Sequence, residues 1–349
     1  ETLRHVGSAC FPPPLAGPLL QTAHPQQSAS LGGLVNVATQ ILPRPAYLVT
    51  LTRACGGEAV TTTLATVPSA GLVPSWVHSF ALASEDILVL VEAPCRYNFP
   101  AIMGLDGGPL PQASHVCMDW YGHEPTRVHV IPLKQPEEAA VHELPTFFAF
   151  HMAQAVVRPA GQGTAACVDL DLCAYEDLEV LDALRLPRLL SGDGPLLRRG
   201  RSRLLRVSLP LPGAAGKAVS FELCDGRELG GFCDFPQVCR GGGGDSILVA
   251  CLEGPASAAN CLARVDPATG AVRRWAGSSA AGEELIGECV VVPAPHPSGG
   301  SVALVPCHGP SGGSLAVLDA ESLEELARVR PSRAVPYGVH GQWIPDGNG

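Results

Sequence analysis

Glycine and proline punctuate this chain so often that few long elements fit between them. There are 39 Gly and 33 Pro among 349 residues, about a fifth of the chain. The interior of a long helix excludes both, whereas short strands joined by tight turns use both. Many short strands are therefore expected, and a long-helix protein is excluded. Hydrophobic residues make up 46% and charged residues 16%, which provides a buried core and sets the chain apart from disordered sequences. At this length two domains or one large all-β unit are allowed. No internal boundary stands out, so residues 1–349 are taken as one domain.

Segments of strand length and branched-aliphatic content fall at Ile87–Glu92, Ala166–Tyr175, Leu204–Leu211, Ser246–Leu252, Cys289–Val292, Val302–Val305 and Leu315–Leu318. Turn signals separate them, among them Asp266-Pro-Ala-Thr-Gly270, Pro297-Ser-Gly-Gly300 and Asp319-Ala-Glu321. Cys261–Trp275 and Leu315–Val329 each read as strand, tight turn and return strand, the building unit of a β-propeller blade. No fixed-period repeat accompanies them. The longest apolar stretch, Phe147–Val157, is too short to span a bilayer and carries His151 and Gln154.

Several function classes drop out. A net charge of −10 argues against a nucleic-acid surface. The 13 Cys form no Cys-x-x-Cys pair, so a zinc ribbon is disfavoured; most read as small buried hydrophobes of a reducing compartment. Gly161-Gln-Gly163-Thr-Ala-Ala166 fits a dinucleotide fingerprint formally, but a β-rich run follows where a helix is required. Arg198, Arg199, Arg201, Arg203 and Arg206 read as a solvated loop and strand edge. A P-loop pattern is absent from the sequence.

The histidines carry the chemistry. Of 11, four share a setting among apolar or aromatic residues beside a strand or turn: His24, His78, His151 and His340. A lone imidazole there reads as a core side chain with a backbone partner, because an uncompensated polar ring is costly. Four from distant parts of one chain are better explained by convergence on a metal, as inner strands of different blades allow. A carboxylate-free imidazole shell suits Fe, Zn or Cu.

Thr22-Ala-His24-Pro25, Ser75–Phe80 with Ile87–Pro94, Phe148-Ala-Phe-His151 with Val168–Tyr175, and Pro336-Tyr-Gly-Val-His340-Gly341 together resemble the four ligand motifs of the carotenoid cleavage oxygenases, in family order. That family includes the retinoid isomerohydrolases. The resemblance implies an all-β seven-bladed propeller under a dome of loops, holding Fe(2+) on its axis through the four His. It implies cleavage of a conjugated C=C bond of a carotenoid or apocarotenoid by O₂, giving two carbonyl products. Retinyl-ester isomerohydrolase chemistry and an inactive binding propeller are the alternatives.

In this family three Glu hydrogen-bond the ligand histidines. Glu288 matches one; Asp234 stands where the second is expected, one methylene shorter, and is expected behind another ligand histidine, with a direct bond and a water-bridged one both open. The third is expected upstream of His24, in sequence absent here, and the chain is read as the C-terminal portion of a family member. Phe147, Phe148, Phe150 and Trp343 are candidate tunnel linings. Phe99, Ile102, Met103 and Leu105 are candidates for peripheral membrane contact, through which the substrate would enter. The remaining His (5, 115, 123, 129, 142, 296 and 308) are expected elsewhere. Scarce Lys beside abundant Ala, Gly and Arg suits a GC-rich green alga, where carotenoids are in the plastid; the plastid is the expected location, with the cytoplasm as the rival.

Overall fold

A computed structural model describes residues 19–55, 58–105, 117–161, 165–184, 200–241, 244–254, 256, 258–279, 282–293, 300–309, 312–332, 337–338 and 340–344. Among them are five antiparallel sheets of four or five strands, in chain order, each blade-like. The first contains Leu19–Gln21, Gln26–Ser28, Gly33–Gln40, Ala46–Cys55 and Glu58–Pro68. The second contains Ala81–Ala83, Ile87–Glu92, Thr126–Pro132 and Ala140–Leu144, and the third Phe148–Arg158, Cys167–Tyr175, Ser202–Pro210 and Val219–Glu222. The fourth contains Cys233–Cys239, Ser246–Cys251, Cys261–Val265 and Val272–Ala276. The fifth contains Leu285–Ile286, Val290–Pro293, Ser301–Gly309, Gly312–Asp319 and Glu325–Val329.

Every strand read from the sequence is present to within a few residues of its ends. The reading placed no strand before Ile87, yet the whole first sheet lies there. Its signal is period-two alternation diluted by Thr and Asn: Val35, Val37, Tyr47, Val49 and Leu51 are wholly buried. The intervening polar residues are satisfied by hydrogen bonds rather than by water. Thr50 Oγ1 donates to the Asn36 carbonyl at 3.2 Å, and Asn36 Nδ2 donates to the Thr22 carbonyl at 3.0 Å.

The turns form for identifiable reasons. At Asp266–Gly270 the Asp266 carboxylate accepts the amides of Ala268 (2.8 Å) and Thr269 (3.2 Å). Gly270 closes the turn at φ +74°, and a Cβ there would sit 2.9 Å from the Leu223 carbonyl oxygen. Asp319 caps its turn through the amides of Glu321 and Ser322.

The chain divides into two compact units. The first comprises the described residues of Glu1–Phe150, Ala155–Leu170 and Ser208–Val219; the second, those of His151–Gln154, Asp171–Val207 and Ser220–Gly349. The first has a core around Val35, Tyr47, Leu51, Phe80, Leu88 and Ile131. The second has Leu204, Leu229, Ile247, Val249 and Val265 packed with Cys173, Cys224, Cys233, Cys251 and Cys261. Each fully buried Val or Leu contributes roughly 1.5–3 kcal/mol. All described cysteines are free thiols, and all but Cys55 are buried, as small hydrophobes would be.

Three details correct or bound the sequence reading. Arg206 is no solvated edge residue: it forms a bidentate pair, at 2.7 and 2.8 Å, with Asp171, which is 1% exposed. Arg198 and Arg199 lie outside the described residues. A strand, Cys167–Tyr175, and not a helix follows the glycine fingerprint; residues 162–164 of that motif lie outside the described residues. Phe147–Val157 is largely the strand Phe148–Arg158.

Candidate metal centre

In the first unit, short polar clamps carry two of the predicted histidines. Thr22 Oγ1 donates to Asn36 Oδ1 at 2.5 Å and accepts the His24 amide at 3.4 Å. Gln26, two residues on, donates its Nε2 to the Phe80 carbonyl (2.5 Å) and accepts the Leu82 amide (3.1 Å). One side chain thus ties the segment after His24 to the segment after His78. Ser79 Oγ donates to the Phe150 carbonyl at 2.5 Å. The result is that His24 Nε2 and His78 Nε2 face each other 3.1 Å apart. Two nitrogens about 2.1 Å from one ion and about 90° apart are separated by about 3.0 Å, so this pair fits adjacent metal ligands.

Aromatic rings surround His78. Its ring centroid is 5.6 Å from that of Trp76 and 5.2 Å from that of Phe150, and Phe148 stacks on Trp76 at 5.8 Å. Phe147, Phe148 and Phe150 are all buried. Trp343, grouped with them in the sequence reading, lies in the second unit and is 53% exposed.

In the second unit, His151 and His340 meet edge to face with centroids 4.9 Å apart. Each has a carboxylate at Nδ1. Asp234 Oδ1 lies 2.8 Å from His151 Nδ1, and Glu288 Oε2 lies 3.1 Å from His340 Nδ1. Of the two alternatives left open for the shorter side chain, the structure has the direct bond. Strand Cys233–Cys239 bulges between Asp234 and Gln237, and Phe235, next to Asp234, adopts φ +54°. Left-handed backbone is uncommon for an aromatic residue and costs free energy, a feature that concentrates at functional sites. The Phe235 ring lies 5.3 Å from that of His151 and 5.6 Å from that of His340.

Burial alone would raise the Asp234 carboxyl, but the charge and hydrogen bond of His151, with bonds from Tyr175 and the Phe235 amide, outweigh it and hold it below the usual carboxylate range. Glu288 is lowered against the same burial by His340, the Gly341 amide and Gln237. The hydrogen bond to Glu288 in turn raises His340, which is 38% exposed at its side chain. A carboxylate at Nδ1 fixes the ring and its tautomer so that Nε2 is presented to a metal.

The other described histidines have separate partners. His129 pairs with Glu92 at 2.9 Å, His142 with the Pro210 carbonyl at 2.9 Å, and His123 and His308 lie against the Tyr121 and Tyr337 rings at 6.3 and 5.0 Å. His5, His115 and His296 lie outside the described residues. Sequence reasoning missed Gln26, Phe235 and Gln237, because a clamp, a bulge and a left-handed residue have no pattern of their own.

The candidate membrane residues lie in the first unit. The helix Phe99–Ile102 is capped by Asn98, and Met103 and Leu105 are 58% and 72% exposed. A surface cleft of about 610 Å³ adjoins it, lined by Leu72, Val73, Tyr97, Phe99 and Tyr121 among others. Among the described residues no helix is long and apolar enough to cross a membrane.

The family model described as RPE65, retinal pigment epithelial membrane protein, matches residues 1–345, and the chain belongs to that family. Carotenoid cleavage dioxygenase 8, chloroplastic, of Arabidopsis thaliana is 29% identical over 360 aligned residues, covering 99% of this chain and 59% of that protein. The carotenoid isomerooxygenase of Galleria mellonella is 25% identical over 291 residues, covering 78% and 53%. The cobalt-substituted apocarotenoid oxygenase of Synechocystis superposes with a TM-score of 0.69 at 18% identity, over 95% of this chain and 66% of that one. This likeness makes the fold that of the propeller oxygenases. The chain spans little more than half the length of these curated relatives.

Proposed function

We propose that His24, His78, His151 and His340 together hold one Fe(2+) ion, that residues 1–349 act as a single oxygenase domain, and that the protein cleaves a conjugated double bond of a carotenoid or apocarotenoid. The observation that carries this reading is the matched pair of carboxylates in the second unit, Asp234 at His151 Nδ1 and Glu288 at His340 Nδ1. Paired carboxylate–imidazole units are the usual support of metal-ligating histidines. The donor set fits iron: neutral imidazoles suit Fe, Zn and Cu, and a shell of four leaves room for O₂. The names of the relatives, carotenoid cleavage dioxygenases and a carotenoid isomerooxygenase, favour the oxygen chemistry.

Bound Fe(2+) would supply the activation of O₂, whose two atoms end in the two carbonyl products. The chain's own residues do the rest. Asp234 and Glu288 accept the Nδ1 protons and keep both imidazoles neutral towards the ion and aimed. Trp76, Phe148 and Phe150 wall His78 with apolar surface, which excludes water and suits a polyene. The helix Phe99–Ile102 with Met103 and Leu105 rests on the membrane, and the adjoining cleft receives the substrate from it. The plastid is the proposed location, in keeping with the chloroplastic relatives; the cytoplasm is the alternative.

The test is turnover by iron-loaded protein of a carotene, an apocarotenal and a retinyl ester under labelled O₂. The reading expects two carbonyl products carrying label from a polyene. Retinyl-ester processing without O₂ consumption would replace it with isomerohydrolase chemistry. Polyene binding without turnover would replace it with a binding propeller.

A further inference from the structure

Asp234, one methylene shorter than Glu288, bonds His151 directly, and its other oxygen is held as well. Tyr175, the last residue of Cys167–Tyr175 and 1% exposed, donates its hydroxyl to Asp234 Oδ2 at 2.5 Å. Asp234 Oδ1 accepts the Phe235 amide at 2.8 Å and faces His151 Nδ1 at 2.8 Å. Glu288 repeats this pattern. Its Oε1 accepts Gln237 Nε2 at 2.9 Å, while its Oε2 accepts the Gly341 amide at 3.2 Å and faces His340 Nδ1 at 3.1 Å. In both, a side-chain donor holds one oxygen, and a backbone amide shares the other with a histidine.

A carboxylate held at one oxygen only can still swing about its last torsion. Held at both, it has a fixed plane, and so has the imidazole hydrogen-bonded to it. We infer that Tyr175 and Gln237 are equivalent positioning residues: each orients a carboxylate that in turn orients a histidine. Tyr175 carries the heavier duty, because it lets a carboxylate one methylene short do the work that Glu288 does with its full length. A buried tyrosine that only needed a partner for its hydroxyl would contribute stability and nothing else. This inference rests on the proposal that His151 and His340 are metal ligands.

The experiment compares purified wild type, Tyr175→Phe, Asp234→Glu and the double variant. It reads Fe(2+) affinity by chelator competition, the line shape of the nitric-oxide complex by EPR, and the Tm of the metal-free protein. Tyr175→Phe should weaken Fe(2+) binding at least tenfold, the usual effect of losing support behind a ligand, and should alter the line shape. The double variant should return to within about threefold of wild type, since the longer carboxylate fills the space of the lost hydroxyl and reaches His151 unaided. Gln237→Leu should weaken binding similarly, and serves where Tyr175→Phe folds poorly. Wild-type affinity and line shape in Tyr175→Phe, with or without a lower Tm, would overturn the inference while leaving the metal reading intact. So would a double variant no tighter than Tyr175→Phe. A wild type that takes up no Fe(2+), or an unaffected His151→Ala, would instead sink the metal reading and this inference with it.

Discussion

Glu92 Oε2 lies 2.9 Å from His129 Nε2, with both side chains under 5% exposed in the first unit. The other Glu92 oxygen accepts the Tyr47 hydroxyl, the Ser69 hydroxyl and the Ala70 amide at 2.9, 2.9 and 3.1 Å. Tyr47 also accepts the Ser75 amide at 2.9 Å, three residues before His78. Burial would raise the Glu92 carboxyl, but His129, the Ala70 amide and Tyr47 outweigh it and hold it below its ordinary value.

A carboxylate lowered by folding contributes stability above its unfolded pKa of about 4.3, and that contribution fades as pH falls through the folded value. Glu92→Gln should therefore cost about 3 kcal/mol at neutral pH, the range for breaking a buried pair. The gap from wild type should narrow as the pH drops below the ordinary carboxylate range. Denaturant unfolding of both proteins across that range checks this; a gap that stays constant into acid would contradict it.

Gly230 tests the backbone of the second unit. It has φ +69°, and a Cβ there would stand 2.3 Å from the Leu252 carbonyl oxygen. Left-handed backbone costs a side-chain-bearing residue roughly 1–2 kcal/mol, and the overlap forces a further shift. Gly230→Ala should lower stability by about 2–4 kcal/mol, read as a fall of several degrees in Tm. An unchanged Tm would show that the turn opens freely.

The four histidines stand out in the sequence because their motifs are local: each carries its own aromatic or proline neighbours along the chain. The carboxylates behind them were legible as positions, but the Asp234 bond was not. It depends on a left-handed Phe235 and on a hydroxyl from Tyr175, some sixty positions away in the sequence. The first sheet escaped for a different reason. Its buried Asn36 and Thr50 look polar in the sequence and become core residues only once their partners are in place. Arg206 escaped likewise, since its neutralising Asp171 lies on the adjacent strand.

Membrane docking has its own test. Phe99→Asp with Met103→Asp should move the protein from phosphatidylcholine vesicles to the supernatant in a sedimentation assay. Carotene cleavage should slow in vesicles and stay unchanged in detergent, because the substitutions touch the approach and not the metal. Equal sedimentation and equal rates would place the docking surface elsewhere.

The central claim is that four imidazoles hold one iron. Its most direct measurement is iron content by atomic emission, in wild type and in His24→Ala, His78→Ala, His151→Ala and His340→Ala, each reconstituted with Fe(2+) and passed over a chelating resin. The account predicts one Fe per chain in wild type and less than about a tenth of that in every variant, as loss of a ligand requires. Wild type without iron, or any one of the four variants keeping its full complement, would contradict it.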